Sequence, residues 1–467
     1  MAKEKKSRKM LSSFSILFII LFVLALVTVL IPDVTSATLS TVMMAPVKGF
    51  ADAIDVCVFV MILGGFLGLV TKTGALDAGI AALVKKLKGN ELVIIPVLMT
   101  LFSICGSTYG MLEETVPFYA LLTATMVAAG FDAVVGSAVV LLGAGAGGVL
   151  GSTINPFAVG AALDAIPKDI PVNNGLVMLI GLVLWISALL ISIYFVMSYA
   201  KKVKQDKGST ILSLQEQQEI DKHYGHAEGA TAVELTGTHK TVLILFGITF
   251  LVMILSFIPW GSFGITFFDS WTAWLTGIPF GEWYFQEATT WFLLMGIIIG
   301  IVGKLNEKEI VDTFMDGAAD MMSVVLVIAL ARGASVLMTE TGLDVYILTN
   351  AANALKGVSG IIFAPLAYLL YLVLTFLIPS SSGLATVSMP IMAPLASELG
   401  FSPEVMVMIF VAGSGLVNLF TPTCGAIMGG LAIAKVEYST WIKFSKKIIL
   451  IIAIVSVIIL TGAMLII

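Results

Sequence analysis

Four short polar segments lie inside long apolar stretches of this 467-residue chain, and they hold the residue types best suited to binding chemistry. They span residues 105–110, 151–156, 379–383 and 421–425. Hydroxyls and free carbonyls can hold a cation, and helix N-termini can face a carboxylate. The side chains expected to bind a substrate are Ser107, Thr108, Tyr109, Thr153, Asn155, Ser380, Ser381, Ser382, Thr421 and Thr423. The residues expected to shape the breaks or to hold a coupling ion are Gly106, Gly110, Ser152, Pro156, Pro379, Gly383, Pro422 and Gly425.

The alternative for these segments is that their Ser and Thr side chains merely satisfy backbone groups at helix kinks. One kink could be explained in that way. Four breaks in one chain favour a binding site instead.

Three charged residues inside apolar stretches are the other candidates, because a charge there is costly and tends to be functional. Glu113 and Glu114 follow the first polar segment and could bind a substrate amine or guanidinium, or carry a coupling proton. Alternatively, they could stabilise the first turn of the next helix through its dipole. Arg332 is expected to pair with an acid such as Asp320 or Asp55; contact with the substrate is the alternative. No spacing of potential ligands predicts a metal site.

The composition shows which elements must position these residues. The chain is 58% hydrophobic and 12% charged, with a mean hydropathy of +1.05. A soluble protein has about 25% charged residues, so a soluble fold is excluded. A membrane-spanning helix needs about 20 mostly apolar residues. Such stretches occur at 11–31, 47–70, 92–129, 132–165, 174–199, 241–259, 288–303, 317–338, 358–397, 402–435 and 448–467.

Two of these stretches, 92–129 and 358–397, are about twice the length that a crossing needs. Each is broken near its middle by a polar segment, and we expect each to be a re-entrant hairpin. Two ordinary helices joined by a tight turn are the alternative. The predicted fold is an all-α polytopic membrane protein with about nine transmembrane helices and two re-entrant hairpins.

The positive charges predict the orientation. With the N-terminus inside and the C-terminus outside, Lys48, Lys168 and Lys356 alone among the lysines fall outside. The protein is therefore expected in the cytoplasmic membrane. The polar segment 201–239 holds all three histidines and is interpreted as a cytoplasmic linker, with metal binding as the less favoured alternative. It would separate an N-terminal half, 1–200, from a C-terminal half, 240–467.

The chain also resembles itself. Residues 71–74 (TKTG) recur as 339–342 (TETG), and LKG at 87–89 recurs at 355–357, both at a spacing of 268 residues. The hairpin breaks and the later breaks follow in the same order at nearly the same spacing. Because 47–70 and 317–338 would cross in opposite directions, the two repeats are expected to be inverted, as in many secondary transporters.

Several other classes of function are excluded or disfavoured. Gly143, Gly145 and Gly148 match a GxGxxG pattern, but they lie inside an apolar stretch with no strand before it, so helix packing explains them better. No ATP-binding motif, hydrolase triad or nucleic-acid-binding feature is present. The sequence predicts a non-enzymatic protein without a cofactor, apart from a coupling Na⁺ or H⁺.

The segments GSTYG at 106–110, STINP at 152–156, PSSSG at 379–383 and TPT at 421–423 together resemble the ion transporter superfamily. More narrowly, the chain is similar to its YfcC-like branch, known as C4-dicarboxylate anaerobic carriers or basic amino-acid antiporters. The resemblance implies a homodimer whose mobile transport domains move like elevators past a scaffold. Dicarboxylate members of the superfamily carry Ser-Asn-Thr at both hairpin tips. Neither tip keeps the Asn here, which weighs against dicarboxylate recognition and against the family's sodium sites.

Charge decides the expected substrate. The four polar segments contain no Lys, Arg or His, whereas two acids lie nearby. A substrate with one carboxylate and a cationic side chain best complements the charges of this site, with the cation bound at Glu113 or Glu114. The predicted function is a basic amino-acid antiporter of the arginine/ornithine type. A C4-dicarboxylate carrier is the first alternative, and a channel or sensor is the second.

Overall fold

The computed structural model describes residues 13–86, 90–112, 115–224, 235–258 and 260–467. Throughout these ranges the regular structure is helical and contains no strand. Within the described residues, eight helices are long and apolar enough to cross a membrane. Large apolar side chains such as Leu190, Leu251 and Ile458 are exposed on the surfaces of such helices, as expected where a protein meets lipid. The predicted all-helical, multi-span fold is confirmed.

The N-terminal half contains nine α-helices. They are α1 (Ser13–Leu30), α2 (Leu39–Asp52), α3 (Ile54–Lys72), α4 (Ala75–Lys86), α5 (Ile94–Tyr109), α6 (Val116–Ala128), α7 (Ala133–Gly145), α8 (Ala161–Ala165) and α9 (Asn174–Gln205). Two π-helical turns, Ala146–Leu150 and Pro156–Gly160, join α7 to α8 around a break. Short 3₁₀ turns cover Glu91–Val93 and Lys207–Ser209.

The remaining helices follow α9. They are α10 (Leu214–Tyr224), α11 (Gly237–Phe257), α12 (Phe285–Val302), α13 (Glu307–Asp320), α14 (Met322–Thr341), α15 (Leu343–Leu355), α16 (Gly360–Leu377), α17 (Ser381–Glu398), α18 (Pro403–Val417), α19 (Gly425–Ile433) and α20 (Tyr438–Ile466). Between α11 and α12 lie 3₁₀ turns at Trp260–Phe263 and Thr272–Trp274.

Two predicted spans are each divided into two helices. The stretch 47–70 is covered by α2 and α3, and the stretch 317–338 by α13 and α14. Both pairs begin earlier than hydropathy indicates, because Thr38 and Asn306 form capping boxes that start α2 and α13 within polar sequence. The two stretches expected to be re-entrant hairpins form the helix pairs α5–α6 and α16–α17, and their re-entrant character stays a prediction.

The helices pack into two groups. The scaffold group consists of α1, α2, α3, α11, α12, α13 and α14, which contact one another extensively. The core group consists of α5 to α9 and α16 to α20, and so contains both hairpins and both broken helices. The short helices α4 and α15 each touch members of both groups. All four predicted polar segments therefore belong to one packed unit.

Contacts within the scaffold group are reciprocal between the two halves. The bounds of α2 and α3 match those of α13 and α14 after a shift of 268 residues. A Cβ on Gly49 would collide with the backbone of Gly333, and one on Gly317 would collide with Gly64 and Gly65. Because Gly317 and Gly65 are the repeat partners of Gly49 and Gly333, this reciprocity is what a two-fold axis requires. These contacts support the predicted repeat.

The predicted linker is partly built into the core group. Glu216 on α10 is 3% exposed, and its carboxylate accepts hydrogen bonds from the Glu437 amide (2.8 Å) and from the Thr440 hydroxyl (3.1 Å) at the start of α20. The Tyr224 hydroxyl donates to the Ile433 carbonyl at the end of α19. Part of the segment 201–239 is thus docked rather than solvated, because the buried Glu216 and the half-buried Tyr224 attach α10 to the core group. Its His226 lies outside the described residues.

Candidate functional site

A cavity of about 120 Å³ lies where the scaffold and core groups meet. The scaffold group contributes one wall, formed by Val56, Phe285, Ile328, Ala331 and Arg332. The core group contributes the opposite wall, formed by Gly110, Leu112, Asn155, Phe157, Pro379, Ser380, Ser381, Ser382, Asn418, Thr423, Cys424 and Gly425. Each of the four predicted polar segments supplies at least one residue. We call this the central cavity.

The second hairpin gives the cavity its polar end. Its tip lies between α16 and α17, where Pro379 cannot donate a backbone hydrogen bond and so helps to end the helix. Ser380 is the N-cap of α17, and its hydroxyl accepts the Gly383 amide at 3.2 Å. Ser381 and Ser382 follow and also line the cavity. The N-terminus of an 18-residue helix, with its partial positive charge, therefore faces the cavity.

Arg332 adds a full positive charge beside this helix terminus. A Cβ built on Gly383 would lie 4.0 Å from Arg332 Nη1, which places the guanidinium close to the first turn of α17. Among the described residues that line the central cavity, Arg332 carries the one full charge. A guanidinium beside a helix N-terminus is suited to binding a carboxylate.

Arg332 pairs with an acid, as expected, but with neither of the two acids named from the sequence. Its Nε lies 3.6 Å from the Oδ2 atom of Asp52 on α2. Asp320 is the last residue of α13, twelve residues before Arg332 on α14. Asp55 instead accepts a hydrogen bond from the Gln286 amide at 3.1 Å. The charge argument from sequence therefore omitted a cation that lines the cavity.

The tip of the first hairpin uses its hydroxyls differently. Ser107 is fully buried; its hydroxyl donates to the Gly151 carbonyl at 2.9 Å and lies 3.1 Å from the Thr153 hydroxyl. The Thr108 hydroxyl donates to the Ile104 carbonyl of its own helix at 2.8 Å. Neither side chain is among those that line the central cavity. This tip is fastened to the first broken helix.

Asn155 restarts the first broken helix. Its Oδ1 accepts the amides of Phe157 (2.8 Å) and Ala158 (3.3 Å), which satisfies two donors at the new helix start. Gly110 has a left-handed φ of +83°, and a Cβ there would lie 2.5 Å from Asn155 Oδ1. Glycine is required at this position for both reasons. The first hairpin and the first broken helix meet at this contact on the cavity wall.

In the second broken helix, the Thr421 and Thr423 hydroxyls lie 2.6 Å apart, and Thr423 lines the cavity whereas Thr421 does not. Asn418 was missed by the sequence argument. It is 1% exposed and lines the cavity, and its Oδ1 has no hydrogen-bond partner in the described part of the chain. It is the one amide side chain within the stretch 402–435, a signal that could have identified it.

The cavity also has an apolar lining, formed by Val56, Leu112, Phe157, Phe285 and Ile328. The rings of Phe157 and Phe285 lie 6.1 Å apart, one from each helix group. Glu113 and Glu114 follow Leu112 in the chain and lie outside the described residues. So do the side chains of Tyr109 and Pro156. The cavity is therefore amphipathic, because polar groups and one positive charge line it together with apolar side chains.

The fold and the site define a polytopic helical membrane protein with a solute cavity between two helix groups, the class to which membrane transporters belong. The chain belongs to the C4-dicarboxylate anaerobic carrier family, DcuC, whose model matches residues 33–465. The predicted family membership is confirmed, and the protein is a membrane transporter.

Named relatives extend over most of the chain. An uncharacterized protein of Haemophilus influenzae is 32% identical over 86% of this chain and 74% of its own length. YfcC of Escherichia coli, named provisionally as a basic amino acid antiporter, is 29% identical over 89% of this chain and 78% of its own length. Among solved structures, the YdaH transporter of Alcanivorax borkumensis covers 97% of this chain and 98% of its own at 15% identity, with a TM-score of 0.47. MtrF of Neisseria gonorrhoeae gives a TM-score of 0.45 at 18% identity.

Proposed function

We propose that this protein is a secondary active transporter that exchanges a basic amino acid of the arginine or ornithine type across the cytoplasmic membrane. The observation that carries the proposal is the amphipathic central cavity, which is lined by Arg332 and the first residues of α17 and also by an apolar surface. The name given to the relative from Escherichia coli agrees with this proposal.

The carboxylate of the substrate would bind at the polar end. Arg332, the first turn of α17 and the tip hydroxyls of Ser381 and Ser382 all supply donors there. Hydrogen bonds in which both partners are charged are about twice as strong as neutral ones. This end therefore contributes most of the affinity in the proposed site.

The aliphatic stem of a basic amino acid would lie along the apolar wall, because methylene groups gain free energy when they leave water. Phe157 and Phe285 present ring surfaces on this wall, where a guanidinium or ammonium could interact with an aromatic face. Glu113 and Glu114, which come next in the chain after Leu112, are the proposed acids for the distal cation. A shorter, doubly charged substrate would place its second carboxylate against the same apolar surface.

A C4-dicarboxylate is the second candidate substrate. It is favoured by one observation, that the full charge among the described lining residues is positive and belongs to Arg332. The family description points the same way. Against it, the described polar end offers one guanidinium rather than two cationic sites.

The proposed transport cycle moves the core group relative to the scaffold group, like an elevator. Both hairpins and both broken helices lie in the core group, so a substrate held by them would travel with it. Arg332, by contrast, belongs to the scaffold group, so its contact with the substrate would change during the cycle. The reciprocal glycine contacts of the scaffold support the proposed inverted repeat, on which two equivalent end states depend.

The test is counterflow in liposomes. Purified protein is reconstituted with unlabelled arginine inside, and uptake of labelled arginine is measured with ornithine, malate or succinate as competitors. We expect saturable uptake that ornithine blocks and dicarboxylates do not. Succinate counterflow without arginine counterflow would contradict the amino-acid assignment and establish the second candidate. Flux that neither saturates nor responds to internal substrate would indicate a channel.

A further inference from the structure

A second cavity of about 350 Å³ adjoins the central one, and we call it the side cavity. Arg332, Ser380 and the neighbourhood of the α17 N-terminus line both spaces. The side cavity is also lined by Asp52, Ser335 and Glu340. Arg332 thus stands at the junction, with its Nε turned to Asp52 and its Nη1 close to the first turn of α17.

Two acceptors on the side-cavity face of this junction have capacity for a further donor. The Asp52 side chain is 52% exposed and meets Arg332 through Oδ2 at 3.6 Å. Ser335, one helical turn after Arg332, is 9% exposed, and its hydroxyl has no hydrogen-bond partner among the described residues. A buried hydroxyl without a partner is costly, so it points to a ligand that supplies one.

We propose that Asp52 and Ser335 form the binding site for the α-ammonium group of an amino acid whose α-carboxylate is bound by Arg332. The proposal rests on the transport function proposed above and names the feature of the substrate that the site selects. The two charges of the Arg332–Asp52 pair lie side by side, as do the carboxylate and ammonium of an α-amino acid. A zwitterion placed along the pair meets an opposite charge at each end.

A dicarboxylate does not fit the same arrangement. Its binding at Arg332 would bring a second negative charge toward Asp52, and like charges at short distance repel. The other charged group that lines the side cavity in the described part of the chain is Glu340, which pairs with Lys48 at 2.5 Å. Because Lys48 neutralises the charge of Glu340, the acid in this space that opposes a second carboxylate is Asp52.

The ammonium site is tested with a pair of ligands that differ by that group alone. Arginine and 5-guanidinopentanoate, which lacks the α-amino group, are compared by the thermal stabilisation of purified protein across a concentration series. The stabilisation reports the dissociation constant independently of transport. We expect wild-type protein to bind arginine about ten-fold or more tightly than the deaminated analogue, as for loss of a charged hydrogen bond.

The variant Asp52→Asn should bring the two affinities to within about two-fold, because the group that distinguishes the ligands is gone. Ser335→Ala should also reduce the difference in affinity between arginine and the deaminated analogue, but by less than Asp52→Asn does. Asp320→Asn is the matched control: Asp320 is the repeat partner of Asp52, is exposed, and is not among the residues that line either cavity. Asp320→Asn removes one negative charge, as Asp52→Asn does, and should leave the affinity difference between the two ligands unchanged.

An affinity gap that persists in Asp52→Asn would overturn the ammonium site and leave the transporter assignment intact. Equal binding of the two ligands by the wild-type protein would also overturn it, even if Asp52→Asn failed to fold. Binding and exchange of succinate, with neither arginine nor its analogue bound, would overturn both proposals.

Discussion

The two hairpin tips occupy equivalent places in the chain, yet their hydroxyls face different partners. Ser107 in the first tip is buried and bonds to the Gly151 carbonyl and the Thr153 hydroxyl of the neighbouring broken helix. In the second tip, Ser381 and Ser382 line the central cavity, beside Arg332. The tips also differ in backbone: Ser107 lies in the last turn of α5, whereas Ser381 and Ser382 begin α17. The first tip fastens the core group, and the second presents hydroxyls to the central cavity.

This difference makes the substrate site asymmetric. If both tips contacted the substrate equally, replacing a hydroxyl in either tip would lower the affinity by a similar amount. Here binding and stability should separate, with cavity-facing groups affecting affinity and inward-facing groups affecting the melting temperature. The predictions below test that separation, from the largest effect to the smallest.

Replacing Arg332 should have the largest effect. Arg332→Gln removes the charged donor that lines the central cavity, and a hydrogen bond to a charged group is worth about 1.5–3 kcal/mol, or roughly ten-fold or more in affinity. We expect counterflow to fall below detection, and arginine to stabilise the purified variant little.

Lys356→Gln serves as the charge control, because Lys356 is exposed and is not among the residues that line either cavity. Arg332→Lys should retain part of the affinity, since it keeps the charge and loses the planar donor geometry. Counterflow by Arg332→Gln at the wild-type rate would contradict a role for this residue in substrate binding.

The first tip should show the opposite behaviour. Ser107→Ala leaves the Gly151 carbonyl without this donor in a fully buried position, at a cost of about 1–3 kcal/mol. We expect a lower apparent melting temperature in detergent and a substrate affinity within about two-fold of the wild type. A large loss of affinity with unchanged melting would contradict the fastening role.

Much of this architecture could be predicted from local sequence. Pro, Gly and Ser interrupt helices through their own backbone properties, so the breaks predicted at 151–156 and 421–425 lie within three residues of those observed, at 151–155 and 418–424. The turns of α5–α6 and α16–α17 likewise fall at or beside the predicted polar segments. The environment of each tip could not be predicted from the sequence, because the hydrogen bonds of Ser107 depend on how closely α5 packs against the broken helix. The partner of Arg332 was missed for the same reason: Asp52 comes beside it through the packing of α2 on α14, across 280 residues of chain. Asn418 left a readable signal, as an amide in a buried apolar helix.

A smaller effect is expected at the second tip. Ser382 is half-buried and lines the central cavity, so Ser382→Ala removes a hydroxyl that a ligand there could meet. We expect the affinity for arginine to fall by about three- to ten-fold, the value of one hydrogen bond. The melting temperature without ligand should stay within about 1 °C of the wild type. If Ser382→Ala were destabilised but bound arginine with wild-type affinity, the Ser382 hydroxyl would have a structural role like that of Ser107.

The smallest effect is expected at Thr108, and it separates the two tips most sharply. Sequence analysis treated Thr108 and Ser381 as equivalent ligands, but the Thr108 hydroxyl donates to the Ile104 carbonyl of its own helix, which already has its helical partner. Thr108→Ala should therefore change the affinity for arginine by less than about two-fold and the free energy of unfolding by less than about 0.5 kcal/mol. Thr108→Ala and Ser382→Ala can be purified and measured in the same detergent, so that the two variants are compared under identical conditions. An affinity loss at Thr108 equal to that at Ser382 would show that the first tip also meets the substrate, and the division of labour between the hairpins would then be wrong.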